Sequence, residues 1–113
     1  MSKNTTYTAS LGGEAHDFCL RASDLQALEF QLNGGIPAAL QRFIGRQWKV
    51  HEIKTVLTYG LIGAGEYNAR DAGSFVEEEV IPGNLDVCAQ IATMTLGALI
   101  YGIKDGKLDI GEE

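Results

Sequence analysis

The chain has 113 residues, a formal net charge of −6, and 45% hydrophobic against 21% charged residues. That length and balance fit one globular domain with its own core and exclude a chain disordered along most of its length. The acidity removes the electrostatic footprint that nucleic-acid binding needs, and no apolar run approaches the ~18 residues of a membrane span.

Met1–Thr6 is polar with only Lys3 as a base, unlike a secretory or transit leader, and reads as a disordered lead-in. Tyr7 to Leu11 alternates, with Tyr7, Ala9 and Leu11 on one side and Thr8 and Ser10 on the other. Gly12-Gly13 and a second run from Ala15 to Leu20 complete a β-hairpin signal. Ser23, with Gln26 three residues on, has the capping-box spacing for a helix whose stripe is Leu25, Leu28 and Leu32, ended by Asn33-Gly34. Pro37 suits the first turn of a short helix with Leu40, Phe43 and Ile44 on its apolar face, stopped by Gly45.

After a connector containing Trp48, a helix is predicted over Val50 to Ala64, with Val50, Ile53, Leu57, Leu61 and Ala64 sharing a face. Asn68 is a good cap for the next helix, Asp71 complements its dipole, and Ala72, Phe75, Val76 and Val80 form its apolar side before Pro82-Gly83. The last predicted helix runs from Asn84 to about Ile103. Its polar strip (Asp86, Gln90, Thr93) is narrow, so it should be buried on most sides at the centre of the fold. The expectation is an α+β fold, mostly α: an N-terminal hairpin packed on about five helices, a single domain over 7–103, and a flexible acidic segment over 104–113.

The residues with chemical potential do not assemble into a site. Gly60-Leu61-Ile62-Gly63-Ala64-Gly65 has its glycines in the wrong order for a dinucleotide loop and closes a helix rather than opening one, so a tightly packed helix end is the expectation. Asp105 to Gly111 has Lys107 where a calcium loop needs an oxygen ligand. His16 and His51 lack metal-ligand spacing, and His51 beside Glu52 reads as surface. Glu77-Glu78-Glu79 point in different directions on a helix. Cys19 and Cys88 are expected as reduced thiols in a cytoplasmic protein. No enzyme activity, cofactor or metal is expected. Charge is uneven: residues 36–58 hold Arg42, Arg46, Lys49 and Lys54 against Glu52, while residues 66–86 hold six acids against Arg70. A small DNA-binding regulator with Trp48 stacking on a base is one reading of the basic stretch, and Trp48 as a core plug the other.

Leu20-Arg21-Ala22-Ser23-Asp24-Leu25, Leu28-Glu29, Arg46-Gln47-Trp48, Glu52-Ile53 and above all Tyr59-Gly60-Leu61-Ile62-Gly63-Ala64-Gly65 occur in an order and with gaps similar to those of a known family. Over about Tyr7 to Gly102 the chain resembles the gene-transfer-agent tail protein family of alphaproteobacterial phages and prophages. The resemblance implies a tail assembly chaperone in the host cytoplasm that binds the tape-measure protein, keeping it soluble while tube subunits polymerise around it. The tail tube protein is a further implied partner. The alternative is a structural, tube-associated subunit retained in the particle; tube proteins are sheet-rich, whereas most of the elements predicted here are helices. A chaperone needs apolar surface, and Phe30, Trp48, Tyr59, Ile62 and Tyr101 are the candidates, each otherwise covered by a neighbouring helix. Self-association is compatible with the same surface.

Overall fold

The computed structural model describes residues 3–110. Strands β1 (Tyr7–Leu11) and β2 (Glu14–Phe18) form an antiparallel hairpin with Ala9 opposite His16 and Leu11 opposite Glu14. Gly12 and Gly13 both have positive φ, 67° and 86°, the two-residue turn that matches the right-handed twist of the flanking strands. Five helices follow: α1 (Leu25–Leu32), α2 (Ile36–Ile44), α3 (Val50–Gly63), α4 (Ala69–Glu79) and α5 (Leu85–Tyr101). The result is the expected α+β architecture, a hairpin packed on five helices.

Local chemistry sets most of the boundaries. Asn33 takes the left-handed conformation at φ 57° to end α1, and Pro37 sits in the first turn of α2. The Asn68 side chain accepts the Asp71 backbone N–H at 2.8 Å and opens α4. The box expected at Ser23 does not form. Ala22–Asp24 make a 3-10 turn, so Ser23 already lies inside helical backbone and Asp24 becomes the cap residue of α1 without a side-chain bond to the helix. The Asp24 carboxylate instead accepts from Arg21 at 2.9 Å.

One hydrophobic cluster spans the chain from Leu11 to Leu96. Phe18, Leu28, Ile53, Val56, Leu57, Leu61, Ala72, Cys88 and Leu96 are fully buried in it. Helix α3 packs on α1, α4, α5 and β2, while α5 packs on α2, α3 and β1. The centre is therefore the α3–α5 pair rather than α5 alone. Two apolar positions assigned to the core from periodicity lie outside it: Ile44 is 59% and Val50 40% exposed, each at a helix end, where Ile44 closes α2 and Val50 opens α3.

The sequence reading of Lys104 onward as a flexible segment is corrected for residues 104–108. Strands β3 (Ile103–Lys104) and β4 (Lys107–Leu108) pair around Asp105-Gly106, whose φ angles are 54° and 77°. The Leu108 side chain closes on Gly97 of α5, where a Cβ would come within 2.7 Å of it. Ile103 therefore leaves the helix for a strand; α5 ends at Tyr101 and is capped by Gly102, with φ 88°. The lead-in is tied down as well: Asn4 bridges Ile103, and the Lys3 ammonium donates to the Tyr101 carbonyl at 3.0 Å. The remaining parts of those two expectations, Met1-Ser2 and residues 111–113, lie outside the described residues.

Candidate partner-binding surface

The glycine-rich end of α3 is a packing device. The Gly60 carbonyl accepts the Cys19 backbone N–H at 2.9 Å, and a Cβ at Gly63 would lie 1.9 Å from the Cys19 carbonyl oxygen. Only hydrogen at Gly63 lets the chain leaving β2 lie against α3, a Cβ at Gly60 would press on Phe18 at 3.2 Å, and Gly65, at φ 78°, turns the chain away.

The same end of α3 meets a cluster that periodicity could not reveal. His16 is 5% exposed, its Nδ1 lies 3.1 Å from Glu66 Oε1, and the other carboxylate oxygen accepts the Asp17 N–H at 3.0 Å. The imidazole packs against Tyr67 and Phe75, with ring centroids 5.8 and 4.9 Å away. Glu66 thus clamps β2 to the α3–α4 loop. One histidine and one carboxylate do not make a metal site, and among the described residues no three such groups converge.

The ionisable groups elsewhere serve mainly to tie elements together. Arg42 pairs with Glu52, which is 4% exposed and also accepts the Lys49 N–H at 3.0 Å. Glu52 is thus a buried helix-start carboxylate, whereas His51 is exposed, with Nε2 3.1 Å from the Gln31 carbonyl oxygen. Arg46 pairs with Asp86 at 2.5 Å and Lys54 with Glu77 at 3.0 Å. Hydrogen bonds from Gln90 and Arg46 hold the Asp86 carboxyl below its ordinary value. Three of the four cations of the basic stretch are therefore matched by carboxylates, two of them by acids of the stretch that follows. Glu77 faces Lys54 while the Glu79 carboxylate lies beside Gly12, so the acidic run diverges. Burial, helped by the Glu79 charge, pushes the Cys88 thiol up to about 11; Cys19 is half-buried.

Two open grooves lie among the described residues. The first, of about 310 Å³, lies between the end of α2 and α5, with walls that include Phe43, Ile44, Trp48, Ala89 and Met94 and with the Arg46–Asp86 pair in its lining. The second, of about 390 Å³, lies over the outward side of α3 and is lined by Gln31, Thr55, Thr58, Tyr59 and Ile62 among others. Trp48 is thus a half-buried groove wall rather than a full core plug. Tyr59 and Ile62 come together in the second groove. Phe30, 83% exposed, stands on α1 next to Gln31, uncovered by any neighbouring helix. Tyr101 lines neither groove and packs partly on the core at the end of α5. Among the described residues no helix is long and apolar enough to cross a membrane.

Fold and surface together define a small helix-rich protein whose open features are apolar-walled grooves and a protruding aromatic side chain. The chain belongs to the family described as phage tail tube protein, GTA-gp10, whose model matches residues 4–102, from the lead-in through the end of α5. Its role accordingly lies in a phage-type tail. Comparisons with curated proteins and with solved structures found no significant match.

Proposed function

We propose that this protein is a structural, tube-associated subunit that stays in the assembled tail. The observation that carries this reading is the family match, which runs over nearly the whole chain under a tail-tube description. Exposed Phe30 and the Trp48 groove are consistent with it. A subunit joined to others by contact needs apolar anchors, and a half-buried tryptophan in a groove is the kind of residue that dominates interface energies.

A second reading, an assembly chaperone for the tape-measure protein, is favoured by one specific feature. The fold is mostly helical, with sheets of only two strands each, and the groove over α3 has the apolar lining and open shape that an amphipathic helix takes. Mass spectrometry of purified particles separates the two. A structural subunit is recovered in fixed ratio to the other tail proteins. Its absence from particles, together with co-purification with the tape-measure protein from assembling cells, would replace the first reading by the second.

A further inference from the structure

The hairpin has two edges, and the rest of the molecule treats them differently. In a hairpin closed by a two-residue turn, the pair flanking the turn is hydrogen-bonded, so Leu11, Ala9 and Tyr7 bond across to Glu14, His16 and Phe18. Thr8 and Ser10 on β1, and Ala15 and Asp17 on β2, then point their backbone groups outward. On the β2 side the chain engages the end of the edge, where Asp17 N–H goes to the Glu66 carboxylate and the following Cys19 N–H to the Gly60 carbonyl, and leaves Ala15 exposed beside the turn. On the β1 side only the start of the edge is used. The Asn4 carbonyl accepts the Ile103 N–H at 2.6 Å, and the Asn4 side chain accepts the Thr6 N–H at 3.0 Å. Beyond that point Thr8 and Ser10 are exposed, and their backbone groups meet no partner among the described residues.

Open strand edges are normally blunted by Lys, Pro, a bulge or a covering element. β1, Tyr-Thr-Ala-Ser-Leu, has no charge, no proline and no bulge. In a chain of net charge −6 it is an uncharged stretch along which two copies meet without like charges directly opposed.

We infer that the outer edge of β1 is a self-association edge, pairing antiparallel with β1 of a second copy of this chain across a two-fold axis near Ala9. Outward-facing residues must meet outward-facing residues, and Thr6 is already engaged by Asn4, so the register sets Thr8 of one copy opposite Ser10 of the other. It joins the two hairpins into one four-stranded sheet through up to about four main-chain hydrogen bonds. On the outer face Thr8 meets a serine, a favourable cross-strand pair. On the inner face the two Ala9 residues adjoin at the axis, where small side chains allow the close spacing of a pair without hydrogen bonds, and Tyr7 lies opposite Leu11. The pairing continues the edge that Ile103 begins to cover within each molecule.

The test is the association state of the full chain by sedimentation, with Thr8→Pro and Ala15→Pro. Each removes an outward N–H and leaves the β1–β2 ladder its bonds, so far-ultraviolet spectra should match the parent. The expected result is a dimer at micromolar concentrations, weakened at least about tenfold by Thr8→Pro and left unchanged by Ala15→Pro. A monomer at high-micromolar concentration, or a dimer indifferent to Thr8→Pro, overturns the inference. Should Thr8→Pro fail to fold, mixing Thr8→Cys with Ser10→Cys under oxidation decides. An intermolecular disulfide mapped to positions 8 and 10 supports the register, and failure to form it sinks the proposal.

Discussion

A methyl group at Gly63 would have to displace the Cys19 backbone, since its ideal position lies 1.9 Å from that carbonyl oxygen. The obstacle is main chain on both sides, so no side chain can swing aside. Gly63→Ala should therefore cost about 3 kcal/mol, at the upper end for an overpacked site, whereas Gly73→Ala, with open space around its Cβ, should be neutral or slightly stabilising. Urea midpoints of the two variants check the contrast. The two cysteines differ by the same kind of local argument. Cys88 is fully buried and its thiol is pushed up to about 11, while Cys19 is partly accessible. At pH 8 a thiol reagent should label Cys19 and spare Cys88 until the protein is unfolded. Because the folded state holds the Cys88 proton more tightly than the unfolded chain does, this group's contribution to stability is complete below pH 9. It is lost as pH rises from there through about 11. Unfolding midpoints across that range should fall less in Cys88→Ala than in the parent.

At the scale of elements, short pieces that cannot stand alone are held by single plugs. The β3–β4 hairpin has two residues per strand and is marginal in isolation, so its order rests on Leu108 against Gly97 and on Asn4 against Ile103. Leu108→Ala should leave the global unfolding free energy within about 1 kcal/mol of the parent and release residues 103–110. Hydrogen exchange confined to that segment is the expected readout; an equal rise across α5 would contradict it. The N-terminal hairpin, the helix caps at Asn33 and Asn68, and the Pro37 helix start were all legible, because turn and cap chemistry is local. Asp105-Gly106 carried the same turn signal as Gly12-Gly13. It went unread because only two residues flank it on each side, too few for alternation to register. Ser23 misled for a related reason: capping-box spacing marks a start, and the 3-10 turn moved the cap of α1 one residue along, to Asp24.

For the molecule as a whole, function depends on what the surface leaves open. Phe30 is 83% exposed and should contribute nothing measurable to folding, so Phe30→Ala should stay within about 0.5 kcal/mol of the parent. If Phe30 is an anchor for another tail protein, the same change should weaken that complex by ~2 kcal/mol, roughly thirtyfold. Trp48→Ala should show both effects, since its ring packs partly on the core and partly lines a groove. Calorimetry of each variant, with and without the co-purifying tail protein, measures the two quantities separately.

The candidate surface was legible only in part. The candidates Phe30, Tyr59, Ile62 and Tyr101 all lie off the main stripes of their helices, but a stripe says where a side chain points and not which element stands in front of it. Phe30 proved bare, Tyr59 and Ile62 share a groove, and Tyr101 turned back toward the core. By itself the sequence determined the elements, their caps and turns, and the helical stripes of most of the core, since these depend on residues within a turn or two of one another. Only the tertiary structure decided which polar side chains meet: Glu66 with His16 across 50 positions, Asp86 with Arg46 across 40, Glu77 with Lys54 across 23. Such pairs follow from how helices cross, and no spacing along the chain encodes them. The open edge of β1 belongs to the same class, because a backbone group is free or engaged only once every other element has taken its place.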